Sequence, residues 1–186
     1  MELIVPNSMA DVTVKQYREL TNIDLEQSDT QWMSDAITIL CDIDKDLVSK
    51  LTIDELNKIG TIIHKITDAD QNNQELQKKI EYKGKRYGFH PNLSKLTVGE
   101  FADLEMYCNG GYFENLNGII GILYRPIVQE GGDFYTIEDY DAVVLPNYWD
   151  DLKMDVVLGA TNFFLSIGVT LTNGLVNYSK AKQKQT

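Results

Sequence analysis

At 186 residues and 43% apolar content, the chain is long enough for one domain with a substantial core. Its formal charge of −11 argues against a nucleic-acid backbone as partner, because neutralising phosphates takes clustered Lys and Arg. Two cysteines and two histidines provide neither a disulfide framework nor a closely spaced metal-ligand set, so no cofactor or metal is expected.

The opening MELIVPNSMAD has no basic start followed by a long apolar run, which predicts no signal peptide and a cytoplasmic chain. Val14, Tyr17 and Leu20 stand at helical spacing and predict a short helix over 14–21. A second helix is predicted over 30–41, with Trp32, Met33, Ala36, Ile37 and Leu40 as its stripe. A third runs over 53–66 and buries Leu56, Ile59, Ile63 and Ile66. Between them, Asp42, Asp44 and Asp46 begin like a calcium loop. Leu47 and Ile53 occupy the places where such a loop needs Gly and Glu, so the match fails.

Residues 79–89 read as a β-hairpin closed at Lys83-Gly84, with Gly84 taking the positive φ the turn requires. Alternation puts Ile80, Tyr82, Tyr87 and Phe89 on one face, with Lys79, Glu81 and Arg86 on the other. A lone hairpin is marginal in water, and residues 2–5 are the other strand-like run available to pair with it. After Pro91, Thr97 and Glu100 form a capping box that starts a helix over 98–107, ended by Gly110-Gly111. Thr13 with Gln16 and Thr52 with Glu55 repeat the device. The unequal spacing of the three copies reads as a reused cap, without internal duplication or acid–base pairing.

A further helix is predicted over 112–124, stopping by Arg125 because Pro126 disfavours helix before it. Residues 127–135, with Gly131-Gly132, read as an exposed loop, and 137–144 as helix. Residues 146–151 form an aromatic corner; Trp149 is expected to pack on the core and one of Asp150 and Asp151 to cap the next helix. From 156 to 179 no charge occurs. Asn162, Ser166, Thr170, Asn173 and Asn177 make a polar stripe there, opposite an apolar one that includes Phe163. That pattern suits a helix half-buried against its own protein or a neighbouring subunit better than a membrane span. The tail 179–186 carries Lys180, Lys182 and Lys184.

The expected fold is mainly α: a single helical domain over 1–150 with one β-hairpin at 79–89. Residues 151–186 supply a long C-terminal helix and a short basic tail. The candidate interface residues are Tyr148, Trp149, Asn162, Phe163, Ser166, Thr170, Asn173 and Asn177, with no catalytic set among them.

Residues 87–105, YGFHPNLSKLTVGEFADLE, with ILYRPI at 122–127 and NFFL at 162–165, resemble small proteins encoded among the virion-structure genes of tailed bacteriophages. The phages concerned infect Bacteroidota and include the crAss-like group. The resemblance is closest over 79–127 and rests on fold motifs that carry no active site. It implies a noncatalytic structural, cargo or tail-assembly protein, acting by protein–protein contact with other phage structural proteins and by self-association. It would reside in the host cytoplasm during assembly and be carried in the virion. Two other readings fit the composition: an acidic DNA-mimic inhibitor of a host protein, and a small phage protein anchored in a membrane by 156–176.

Overall fold

The computed structural model describes residues 3–68, 74–132, 134–143 and 145–166. Its elements run α1 (Val14–Thr21), α2 (Asp29–Cys41), α3 (Lys45–Val48), α4 (Ile53–Asp68), β1 (Lys79–Tyr82) and β2 (Lys85–Phe89). There follow α5 (Val98–Asn109), α6 (Leu116–Leu123), β3 (Tyr124–Gly131), β4 (Phe134–Ile137) and a last helix, α7, over residues 154–166.

Three helices start on the expected device. At α1 the Gln16 N–H donates to the Thr13 hydroxyl at 3.2 Å while the Thr13 N–H donates back to Gln16 Oε1 at 3.0 Å. Thr52 with Glu55 opens α4 in the same way, and Thr97 with Glu100 opens α5. Each box satisfies two backbone donors that a helix start otherwise leaves open. The first N–H groups of α1 are also held from outside, by the carbonyls of Leu152 and Asp150 at 2.9 and 3.0 Å.

The fold is mixed α/β, which corrects the expectation of a mainly α domain with one hairpin: the sheet has four antiparallel strands in the order β1-β2-β3-β4. The β1–β2 hairpin has the expected register, Ile80 opposite Tyr87 and Tyr82 opposite Lys85, turning through Lys83 and Gly84 at φ 47° and 73°. Its partner is β3. Residues 3–5 form no strand. The apolar run that makes α6 continues straight into β3: the helix ends at Leu123, and the residues before Pro126 are extended, as a proline demands. They pair with β2, Phe89 opposite Tyr124 and Tyr87 opposite Pro126.

The described residues of 127–135, expected to be an exposed loop, therefore belong to the hairpin strands β3 and β4 and their turn, and the described residues of 137–144 form no helix. Pro126 sits where the β3–β4 ladder stops. Its carbonyl accepts from the Glu138 N–H at 2.9 Å, but its ring nitrogen has no proton to return, and β4 ends at Ile137.

Ile80, Tyr82, Tyr87 and Phe89 are all buried against the helices, as the alternation requires. On the opposite face Glu130 of β3 pairs with Lys79 at 2.7 Å and with Arg86. Leu152, Met154 and residues 156–160 are buried in the same core as α1, α2, α4 and α6. Among the described residues no helix is long and apolar enough to cross a membrane.

Helix α7 fits closely at Gly159, where an added Cβ would collide with the carbonyl group of Glu75. Backbone cannot step aside as a side chain can, so Gly159→Ala is expected to lower stability by about 1–3 kcal/mol in urea unfolding. Gly60→Ala is the control. There the new Cβ would meet the mobile end of Met33, at 2.6 Å from its methyl. The helix-propensity gain of up to about 1 kcal/mol can then offset the crowding.

Candidate protein-binding cleft

A cleft of about 280 Å³ opens where the sheet meets α6 and the aromatic corner. Its walls come from Tyr87 of β2, Gly121 of α6, Pro126 of β3, Tyr140, Tyr148 and Trp149. Each wall is placed by a separate contact. Trp149 is 5% exposed and stacks on Tyr82, with centroids 4.9 Å apart and planes at 24°; Tyr87 and Tyr148 approach it edge-on. Its backbone N–H donates to Asn117 Oδ1 at 2.7 Å. Asn117 Nδ2 in turn donates to Asp150 at 3.0 Å, and Arg18 holds the other oxygen of that carboxylate at 3.1 Å. The chain Trp149–Asn117–Asp150–Arg18 thus ties the corner to α6 and to α1. Asp150 is spent in that link, Asp151 pairs with Lys83 at 3.5 Å, and α7 begins only at residue 154, so neither acid takes the expected capping role.

Tyr148 is half-buried. Its carbonyl accepts from the Tyr82 hydroxyl at 2.7 Å and from Lys83 Nζ at 2.9 Å, and its own hydroxyl bonds that of Tyr87. Asp103 of α5 accepts from the Tyr140 hydroxyl at 2.7 Å. Burial pushes the Tyr82, Tyr87 and Tyr140 phenols above their ordinary value; the Tyr148 bond adds to this at Tyr87 and the Asp103 bond at Tyr140. The phenols therefore remain protonated at neutral pH. They offer rings and O–H groups, and no phenolate.

Behind the cleft lies a buried charge cluster. Glu100, 2% exposed, accepts from the Thr97 N–H and pairs with Arg125 of β3 at 2.8 Å, with His90 Nε2 at 3.9 Å. Burial would raise the Glu100 carboxyl, but the Thr97 hydrogen bonds and the Arg125 charge outweigh it and hold the carboxyl below its ordinary value. Burial and Arg125 lower His90. The Asn92 N–H donates to its Nδ1 at 3.3 Å, a bond that fits neutral imidazole.

Of the sequence-derived interface residues, the structure brings Tyr148 and Trp149 together in the cleft. Asn162, Phe163 and Ser166 lie on α7 and do not line it. Phe163 is 39% exposed and sets its ring edge-on to Phe89 at 5.5 Å, while the Ser166 hydroxyl donates to the Phe163 carbonyl at 2.7 Å. Thr170, Asn173 and Asn177 lie outside the described residues, as does the tail with its three lysines. Sequence reasoning missed Asn117, Tyr140 and the acids Glu138, Asp139 and Asp141; the run of acids around Tyr140 is the available signal, and it lies in the segment 137–144 that the sequence predicts to be helix.

Cys41 and Cys108 are free thiols, Cys41 half-buried and Cys108 exposed. Among the described residues no group of three or more His, Cys, Asp or Glu is placed to hold a metal. No protein-family model, curated protein or solved structure matches the chain.

Proposed function

We propose that the chain is a noncatalytic binding component that works by protein–protein contact, with the Tyr148–Trp149 cleft as its contact site. The observation that carries this reading is the apolar rim of the cleft. Val143 and Leu145 are 69% and 58% exposed beside a wall of buried aromatic rings. Large exposed aliphatic groups next to a preformed aromatic pocket are what a partner covers on binding. The ionisable groups behind the cleft are already engaged: Glu100 with Arg125 and the Thr97 N–H, and Asp150 with the side chains of Arg18 and Asn117.

The resemblance of residues 79–127 to tailed-phage virion proteins supplies the setting: a structural, cargo or tail-assembly component acting in the infected cell or the particle. Affinity purification of the full chain from phage-infected cells, beside Leu145→Glu, tests both parts. The expected result is a set of virion or assembly proteins that the variant loses. Equal recovery by both chains would remove the cleft as the contact site. Absence of phage proteins from the eluate would remove the phage setting.

A further inference from the structure

Two features of the cleft specify its occupant more closely, on the reading that it is a protein contact site. The first is charge. Glu138, Asp139 and Asp141 stand at the mouth in the segment after β4, and Lys85 is the only cation facing them that makes no ion pair among the described residues. Arg125 also lines the cleft, but Glu100 neutralises it from behind. The mouth is therefore net acidic, and aromatic faces lie directly inside it. That combination favours a cation and disfavours a phosphate or carboxylate.

The second feature is an unused donor. Trp149 is 5% exposed, yet its indole N–H lies at an edge that solvent still reaches and donates to no group among the described residues. Its Nε1 lies beside Gly121, where even an added Cβ would be 3.6 Å away, and both residues line the cleft. With no side chain at Gly121 to cover it, this edge of the indole is left to an incoming acceptor. A carbonyl oxygen of a bound chain can take the place of solvent as its acceptor.

We propose that the cleft binds an extended segment of a partner protein that carries a lysine or arginine. A backbone carbonyl of that segment accepts from Trp149 Nε1. The basic side chain lays its aliphatic stem along Tyr148 and Leu145, and its charged head meets Glu138, Asp139 and Asp141. At about 280 Å³ the cleft takes one or two side chains, so the contact is with a strand of chain and not with a folded surface.

The test is to pan a random dodecapeptide library on the intact chain and measure the selected peptides by fluorescence polarisation. Enriched peptides are expected to share a basic residue beside apolar ones. Replacing that residue by Gln should weaken binding about tenfold, and the Glu138→Gln/Asp141→Asn double variant should do much the same. Trp149→Phe keeps an aromatic wall, removes the donor and should also weaken binding. Asp46→Asn/Asp54→Asn removes the same charge from α3 and α4, away from the cleft, and should leave binding intact; equal weakening there would show only attraction to an acidic protein and overturn the proposal. Enrichment of peptides without a basic residue, or of none, would overturn it as well. If peptides lacking a basic residue still lost binding in Leu145→Glu, the cleft would remain a contact site and only its proposed chemistry would fail.

Discussion

Glu100→Ala is expected to destabilise the fold by about 3–5 kcal/mol, because it leaves the Arg125 guanidinium buried without its counter-charge. The variant also removes the acceptor for the Thr97 N–H at the start of α5. The Glu55→Ala change removes the same capping partner from α4, where the carboxylate is exposed and faces no buried cation, and should cost far less. Urea midpoints of the two variants separate the cap from the ion pair. Similar losses would mean that the Arg125 pair contributes nothing beyond the cap. A Glu100→Leu/Arg125→Met double variant should recover part of the loss, since apolar replacement of both members of a buried pair is often neutral.

The same cluster makes stability fall on acidification. Glu100 and His90 both have folded-state pKa values below their ordinary 4.5 and 6.5, so the unfolded chain binds protons more readily than the folded one. The His90 contribution is complete above 6.5 and is lost as pH falls from there through its folded value; the Glu100 contribution is complete above 4.5 and is lost below it. Urea midpoints taken from about pH 8 to about pH 2.5 should show both limbs, and His90→Gln should lack the upper one.

How much of this could be read from the residues divides along physical lines. Caps and turns are local chemistry, and all three Thr boxes and the Lys83-Gly84 turn are legible because each motif contains its own partners. The hairpin's buried face is legible for the same reason: alternation is a property of the strand itself. What β2 pairs with is a tertiary choice. Apart from Asn117 and Arg125, the run from Leu116 to Val128 has no strongly polar residue, so periodicity does not mark where α6 stops and β3 starts. Pro126 fixed the end of the helix, yet extended backbone before a proline reads equally as loop or strand. Gly131-Gly132 suggested a flexible loop because a turn glycine looks the same inside a tight hairpin as outside one. At the cleft, Tyr148 and Trp149 stood out as a dense aromatic pair. Glu100 was legible only as a cap: its second partner, Arg125, is remote in sequence and reaches it only through the β2–β3 pairing.

Trp149→Ala is expected to be as damaging as the loss of Glu100, for a different reason. The indole is the common neighbour of Tyr82, Tyr87 and Tyr148, with centroids at 4.9, 4.9 and 5.1 Å, so its removal strips one face from three rings at once. Truncating a buried aromatic side chain costs about 3–5 kcal/mol, the upper end applying where the surroundings cannot close in. Here Tyr82 and Tyr87 are fixed by the sheet, and Tyr148 is held through its carbonyl by Tyr82 and Lys83, so collapse is restricted. The backbone bond to Asn117 survives in the variant, which keeps the Asn117–Asp150–Arg18 link in place and confines the damage to the ring cluster. Hydrogen exchange should therefore speed up most at the amides of the corner and of β1–β2, and least in α2 and α4. Trp149→Phe retains a ring against Tyr82 and should lose less than half as much stability in urea unfolding. A cost below about 1 kcal/mol for Trp149→Ala would mean that the tyrosines repack without the indole. The cleft would then be a soft surface feature, and a partner would have to shape it on binding instead of finding it formed.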